Sequence, residues 1–300
     1  MLVRHLEDLG YSRYWLTEHH TSRQSGSPLI AAAVAAASSR TIRVGTAGVM
    51  IRYLRPLRVA KDARLLQLLH PGRMDLGIIG GPALSAPLHS ALAVCEDERY
   101  DYRGSLTELA LLLNPDPPAK SALSAHDLGP YSDEPIELWI GSTSIASARL
   151  AGSLGVRFAY HHYIDWEAST LERHALVDAY RTSFRPSKSL AAPYCVVVCY
   201  GSCAESELEA RTHWSVVSGV RYDLELPSIT QLNTAPDKPS FIGTPDQCYE
   251  QLHLLAEFYG VSELVVHGVA PGLRELLATY ELLAGTPLIS KRSAPVMPLA

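Results

Sequence analysis

The sequence predicts an α/β fold of repeated strand–helix units, and three observations carry that reading. Short runs rich in β-branched and aromatic residues alternate with longer segments of helical period. The helical segments are long enough to serve as crossovers between parallel strands. A chain of 300 residues, 47% hydrophobic and 19% charged, also supplies one large core, at a length that α/β barrels reach as a single domain.

In chain order the strand-like runs are SRYWLT (12–17), TIRVGTAGVM (41–50), RMDLGII (73–79), IELWIG (136–141), VRFAYHHY (156–163), PYCVVVCY (193–200) and SELVVHGV (262–269). Between them, apolar residues recur at i, i+3, i+4 spacing over Leu29 to Ser38, Pro56 to Leu69, Tyr102 to Leu113, Ser144 to Leu154, Trp166 to Phe184, Cys203 to Ser218 and Pro245 to Tyr259, which predicts helices. Further helices are expected near residues 2–9 and 271–284. Seven strands with regular crossovers fit either a barrel lacking one member or an open doubly wound sheet, and periodicity leaves both open. The chain opens on a helix of the kind that follows a first strand, so the barrel reading calls for a strand upstream. The expected organisation is one domain over 1–285, with loop insertions near 114–134 and 219–240, and a weakly ordered tail over 286–300. Connections of that length are usually lids or binding loops.

The net charge of −5 is spread along the chain, which gives no electrostatic footprint for nucleic acid. No apolar run approaches the ~18 residues that span a bilayer, and MLVRHLEDLG reads as an amphipathic helix, so neither a membrane nor a secretory leader is expected and the protein reads as cytoplasmic. Five cysteines without framework spacing fit that compartment. In a strand, Cys195, Cys199 and Cys203 would share one face about 13 Å apart, too far to hold one metal, so they read as small core residues and no metal site is expected.

Glu18, His19 and His20 follow the first strand at its C-terminal end, where α/β barrels place catalytic groups, and a histidine there can take or give a proton. The plainer reading is a packed, hydrogen-bonded pair of histidines. In GSTSIAS (141–147), backbone N–H groups at a helix start and the hydroxyls of Ser142, Thr143, Ser144 and Ser147 could hold a phosphate. Serine and threonine are also ordinary helix caps. His161 and His162 end the fifth run and, as strand neighbours, point to opposite faces, so one of them can line a pocket.

YSRYWLTEHH, IRVGTAGVM and PLRVAKDARLLQLLHPGRMDLGI occur in the order and spacing of the bacterial luciferase-like flavin-dependent monooxygenases. The resemblance resumes in LWIGSTSIASARLAGSLGVRFAYHHY, PYCVVVCYGSCAESELEAR and FIGTPDQCYEQLHLLAEFYGVSELVV, and covers nearly all of 1–285 except the two long loops. The branch it most resembles contains secondary-metabolite tailoring enzymes. The resemblance implies a (β/α)8 TIM barrel whose N-terminal strand is absent from this chain. It implies transfer of one oxygen atom from O2 to a small organic molecule, with reduced FMN supplied by a separate flavin reductase. His19 falls on the catalytic acid/base, with His20 and Glu18 beside it. A cis peptide falls on Ala47 and Gly48, and Thr46, Ala47 and Gly48 are the implied contacts of the flavin ring. Ser142, Thr143, Ser144 and Ser147 fall on the phosphate site. Dimerisation, with itself or with a related chain, is implied through helices near 27–39 and 56–69.

The sequence departs from this pattern in two places. Gly80 falls at a cofactor-contact position where the family commonly carries an arginine, so a charge-assisted bond of about 1.5–3 kcal/mol is missing there; Arg52 and Arg55 are the nearby candidates to replace it. The missing first strand would leave two sheet edges open. It is accounted for by a start upstream of Met1, by cover from the N-terminal helix or a partner, or by a paralogue that no longer binds flavin. Two alternative functions follow: a non-catalytic barrel serving as partner subunit or small-molecule binder, and an oxidoreductase using the deazaflavin coenzyme F420.

Overall fold

The computed structural model describes residues 2–20, 26–81, 85–92, 101–114, 126, 128–130, 134–162, 170–222 and 239–289. Its elements run α1 (Leu2–Asp8), β1 (Arg13–Leu16), α2 (Pro28–Ala37), β2 (Arg43–Thr46), β3 (Val49–Met50), a 3-10 turn (Ile51–Tyr53), α3 (Pro56–Leu69), β4 (Met74–Ile79), α4 (Ala86–Leu92) and α5 (Tyr102–Leu113). There follow β5 (Glu137–Ser142), α6 (Ile145–Leu154), β6 (Arg157–Tyr160), α7 (Thr170–Ser183), β7 (Cys195–Cys203), α8 (Glu207–Tyr222), β8 (Phe241–Gly243), α9 (Pro245–Tyr259), β9 (Leu264–Gly268) and α10 (Leu273–Ala284). Two compact units divide the chain: residues 13–197, and residues 1–12 with 198–300.

In the first unit the strands are parallel in the order β1-β2-β4-β5-β6, with β3 beside the end of β4 and Cys195–Val197 of β7 along β6. The register sets Trp15 against Gly45, Gly45 against Asp75, and Gly77 against Trp139. These strand glycines permit close backbone approach: a Cβ on Gly77 would stand 2.0 Å from the Thr46 carbonyl oxygen, and one on Gly45 2.2 Å from that of Asp75. The core between sheet and helices holds Val44, Leu76, Ile78, Leu106, Leu109, Ile140 and Phe158.

Near the N-terminal ends of these strands the interior is charged. Asp75, with no exposed side-chain surface, accepts hydrogen bonds from Arg13 (2.8 Å), from Arg43 (2.6 and 2.9 Å) and from the Trp15 indole (2.8 Å). Glu137 joins Arg13 at 2.9 Å and Arg157 at 3.2 Å. Arg13 and Arg157 also lie over the Trp139 ring, 5.1 and 5.8 Å from its centroid.

In the second unit, β7 pairs with β8 and β9, and the Thr279 hydroxyl of α10 donates to the Cys203 carbonyl at 2.9 Å. The N-terminal helix is held by His5 to Glu281 (2.8 Å) and by the edge of Tyr11 on Tyr280 (5.7 Å). Thr244 and Gln247 form a capping box at the start of α9, and Gly260 ends that helix with φ +58°.

Several elements differ from the sequence expectation. The run at 41–50 is two strands rather than one, parted by the cis peptide that the family resemblance implied between Ala47 and Gly48. β8, at three residues too short for a periodicity signal, and α4 were not expected. Helix α8 continues to Tyr222, four residues into the segment read as a loop; the rest of that segment up to 238, most of 115–133, and the tail from 290 lie outside the described residues. Among the described residues no strand precedes α1, and no helix is long and apolar enough to cross a membrane. Cys195, Cys199, Cys203 and Cys248 are buried free thiols, as expected of core cysteines.

The ion cluster generates the first prediction. Asp75→Asn removes the buried charge that faces two half-buried guanidinium groups, and stability should fall by about 3–5 kcal/mol in urea denaturation. A loss under ~1 kcal/mol would mean that Glu137 alone neutralises the cluster.

Candidate functional site

A small cavity opens among the strands of the first unit. Two of its walls are the indoles of Trp15 and Trp139, 5.0 Å apart and inclined at 66°. Thr46 and the Ala47–Gly48 peptide form a third side, Gly77, Ile78 and Ile79 of β4 a fourth, and Gly141, Ala159 and His161 close the remainder. The polar wall groups are largely engaged. The Thr46 hydroxyl donates to Gly77 O (2.8 Å) and accepts from Gly77 N (3.0 Å), and the Trp15 N–H is held by Asp75. A Cβ on Gly141 would stand 2.7 Å from His161 Nε2, so glycine there makes room for the imidazole. Burial pushes the His161 pKa down to about 4, because an apolar wall disfavours the imidazolium.

Glu18, His19 and His20 lie just beyond the C-terminal end of β1, as expected. The Ala47 amide donates to Leu16 O at 2.7 Å, which docks the Ala47–Gly48 peptide beside that strand end. Glu18 is 5% exposed and bridges two segments: Oε1 pairs with His20 Nε2 at 2.7 Å, and Oε2 accepts from the Met50 amide at 2.8 Å. His20 meets the edge of Tyr53 at 6.3 Å, and the Tyr53 hydroxyl lies 3.4 Å from His89 Nδ1. The carboxylate therefore orients His20, whereas His19 is half-buried beside it. None of the three lines the cavity itself.

The hydroxyls of the GSTSIAS segment are gathered at the start of α6. Ser144 is its N-cap, accepting from the Ser147 amide at 3.2 Å; Ser142 Oγ accepts from the Ser144 amide at 3.0 Å, and the Ser144 and Ser147 hydroxyls are 3.0 Å apart. Their capping role is thus visible, with Ser144, Ile145 and Ala146 exposed and Thr143 half-buried. Gly80 is half-buried after β4, and a Cβ there would meet only the Tyr102 ring at 3.6 Å. Of the two histidines ending β6, His161 lines the cavity; the buried His162 packs its edge on Tyr160 at 6.0 Å.

Sequence reasoning missed Trp15, Trp139, Gly77, Gly141 and Ala159 as wall residues. The signal was available, since tryptophan and glycine inside otherwise β-branched strands mark positions where packing against a void or a neighbouring backbone decides the residue.

Residues 1–262 match the profile of the family described as luciferase-like monooxygenase. The N-acetyl-S-alkylcysteine monooxygenase of Bacillus subtilis is 28% identical over 97% of this chain and 92% of its own. Among solved structures, apo-MsnO8 is similar with a TM-score of 0.80 and 30% identity, over 97% of this chain and 92% of that one. The oxygenating constituent of a Pseudomonas putida 3,6-diketocamphane monooxygenase, in complex with FMN, has a TM-score of 0.68 at 15% identity over 95% and 90% of the chains. An F420-dependent secondary alcohol dehydrogenase has 0.66 at 16% identity over 96% and 93%. The fold class is the luciferase-like α/β barrel read from the sequence.

The buried imidazole generates a pH prediction. Below about pH 6.5 an unfolded chain takes up a proton at this histidine, whereas the folded ring stays neutral down to about pH 4. Its contribution to stability is therefore whole above pH 6.5 and lost as the pH falls towards 4. Urea midpoints should drop less between pH 7 and pH 4.5 in His161→Asn than in the parent protein; equal drops would place the titration elsewhere.

Proposed function

Because the chain belongs to the luciferase-like monooxygenase family, we propose that it uses reduced FMN, supplied by a separate flavin reductase, to transfer one oxygen atom from O2 to a small organic substrate. The observation that carries this reading is the uncharged cavity at Ala47–Gly48 with the Glu18–His20 pair at the neighbouring strand end. The sequence resemblance to tailoring enzymes supports a substrate from secondary metabolism.

The residues present fit the cofactor. Thr46, Ala47 and Gly48 offer a backbone edge with no large side chain against which a flat ring can lie, and Ser142, Thr143, Ser144 and Ser147 give a hydroxyl-rich helix start suited to a phosphate. With Gly80 in place of an arginine, Arg52 or Arg55 on the loop after β3 would supply the cation. The electrons that activate O2 would come from the reduced flavin. The protein's own part is to orient, to exclude water and to handle a proton. Glu18 fixes the ring orientation of His20, and the half-buried His19 beside it takes or gives the proton at the reacting centre. The apolar walls keep water from competing with the acceptor.

Gly80 supports a second reading, a barrel that binds small molecules or a partner subunit without turnover. The first reading expects His19→Ala to lower flavin-dependent turnover by about 10²–10⁴ while flavin affinity changes only a few-fold. His20→Ala should share the loss if the pair acts together. Collapse of flavin binding in His19→Ala would make that histidine structural, and unchanged turnover would move proton handling to another group.

Partnering is proposed through α2 and α3, where Ile30, Val34, Leu65, Leu68 and Leu69 are 47–67% exposed. On each helix these residues recur at i, i+3 or i+4 spacing, the pattern of an apolar face that another chain can cover. Sedimentation at tens of micromolar should show a dimer that Val34→Arg dissociates, whereas a monomer at that concentration would remove this interface.

A further inference from the structure

The bonds of Glu18 settle which nitrogen of His20 carries the proton. A backbone N–H can only donate, so Glu18 Oε2 accepts from the Met50 amide at 2.8 Å, and a carboxylate has no proton of its own to give the imidazole. Oε1, 2.7 Å from Nε2, therefore accepts as well, and the neutral ring is assigned its proton on Nε2. Nδ1 is left with a lone pair, and among the described residues it has no hydrogen-bond partner. We propose that Nδ1 of His20 is a second proton-accepting atom of the site, alongside His19, with Glu18 and Gly26 as its positioning residues. The inference deepens the monooxygenase reading above and rests on it for the reaction that the proton serves.

Gly26 shows why that atom stays reachable. A Cβ on Gly26 would stand 3.0 Å from His20 Nδ1 and 3.2 Å from Cε1, closer than side-chain packing ordinarily allows. Its backbone is outside the left-handed region, so conformation does not demand glycine there; what a side chain would meet is the imidazole edge that carries the lone pair. Gly26 is itself exposed, and the His20 side chain is 13% exposed. Tyr53 does not compete for the nitrogen, since it meets His20 through its ring edge and turns its hydroxyl to His89. A proton arriving at Nδ1 makes an imidazolium whose Nε2–H stays on Glu18, so the new positive charge is paired at once with a buried carboxylate and the ring need not turn. When the proton leaves from Nδ1 the starting tautomer is restored.

The test reads the ring directly, by nitrogen NMR of the whole protein with isotope-labelled histidine at about pH 9, where an ordinary imidazole is neutral. Loss of one signal in His20→Gln assigns it among the 12 histidines. The parent should show a proton on Nε2 and none on Nδ1. In Glu18→Gln the Met50 amide still needs an acceptor, so the new side chain turns its oxygen there and its NH2 towards His20. The proton should then move to Nδ1. Flavin-dependent turnover should fall by about 10²–10⁴ in that variant and by about 10² in Gly26→Val, with reduced-FMN affinity within about threefold of the parent. In a His20→Gln background neither change should cost anything further, because both act through Nδ1. A parent ring protonated on Nδ1, or an unchanged tautomer in Glu18→Gln, overturns the positioning by Glu18. A reversed tautomer with turnover unaltered overturns the role of Nδ1, and a further loss from Gly26→Val in the His20→Gln background overturns that of Gly26. Absence of any flavin-dependent turnover in the parent would sink the monooxygenase reading, and the tautomer of His20 would still decide the positioning.

Discussion

The carboxylate of Asp75 is the constraint on which the larger unit depends. Buried among the strands, it binds Arg13 of β1, Arg43 of β2 and the indole of Trp15 at once. Three guanidinium groups and two carboxylates share this layer, so each charge meets an opposite one on another strand and the cluster keeps one excess positive charge. Such a cluster is costly to desolvate and stabilises only as a complete set, which makes its geometry unforgiving. That geometry reaches the site directly, because the Trp15 ring fixed by Asp75 is a wall of the cavity and packs on Trp139, itself covered by Arg13 and Arg157.

A second carboxylate plays the corresponding part at the other end of the strands. Glu18 ties the loop after β1 to β3 by accepting from both His20 and the Met50 amide. Full burial of a carboxylate needs this number of partners, and the arrangement leaves no freedom for the histidine ring. One buried acid thus fixes the Trp15 wall of the cavity, and another fixes the His20 ring at the neighbouring strand end. Catalysis on such a platform would depend on preorganised positions rather than on many chemically active side chains.

Most of the fold was legible in the sequence because strand and helix periods differ and the helices are long. Helices over 56–69, 102–113 and 245–259 fall at their expected bounds. The break at Ala47–Gly48 was legible only through family resemblance, since TIRVGTAGVM keeps a strand-like composition across it. The placement of Glu18, His19 and His20 at a strand end followed from the motif, but composition could not say that Glu18 would choose His20 over His19. That choice is made by the Met50 amide on the far side of the carboxylate, a contact 32 residues away in sequence. The two wall tryptophans stood out by residue type within their strands, but that both face one cavity depends on the register that sets Gly77 against Trp139, a property of strand pairing.

The most direct measurement of the central claim is an anaerobic equilibrium titration of the protein with reduced FMN and, separately, with reduced F420, followed by tryptophan fluorescence and cofactor absorbance. Saturable one-to-one binding of FMN with a dissociation constant of about micromolar order, and at least tenfold weaker binding of F420, is the expected result. No spectral change with FMN up to high micromolar concentration, or tighter binding of F420, would contradict it.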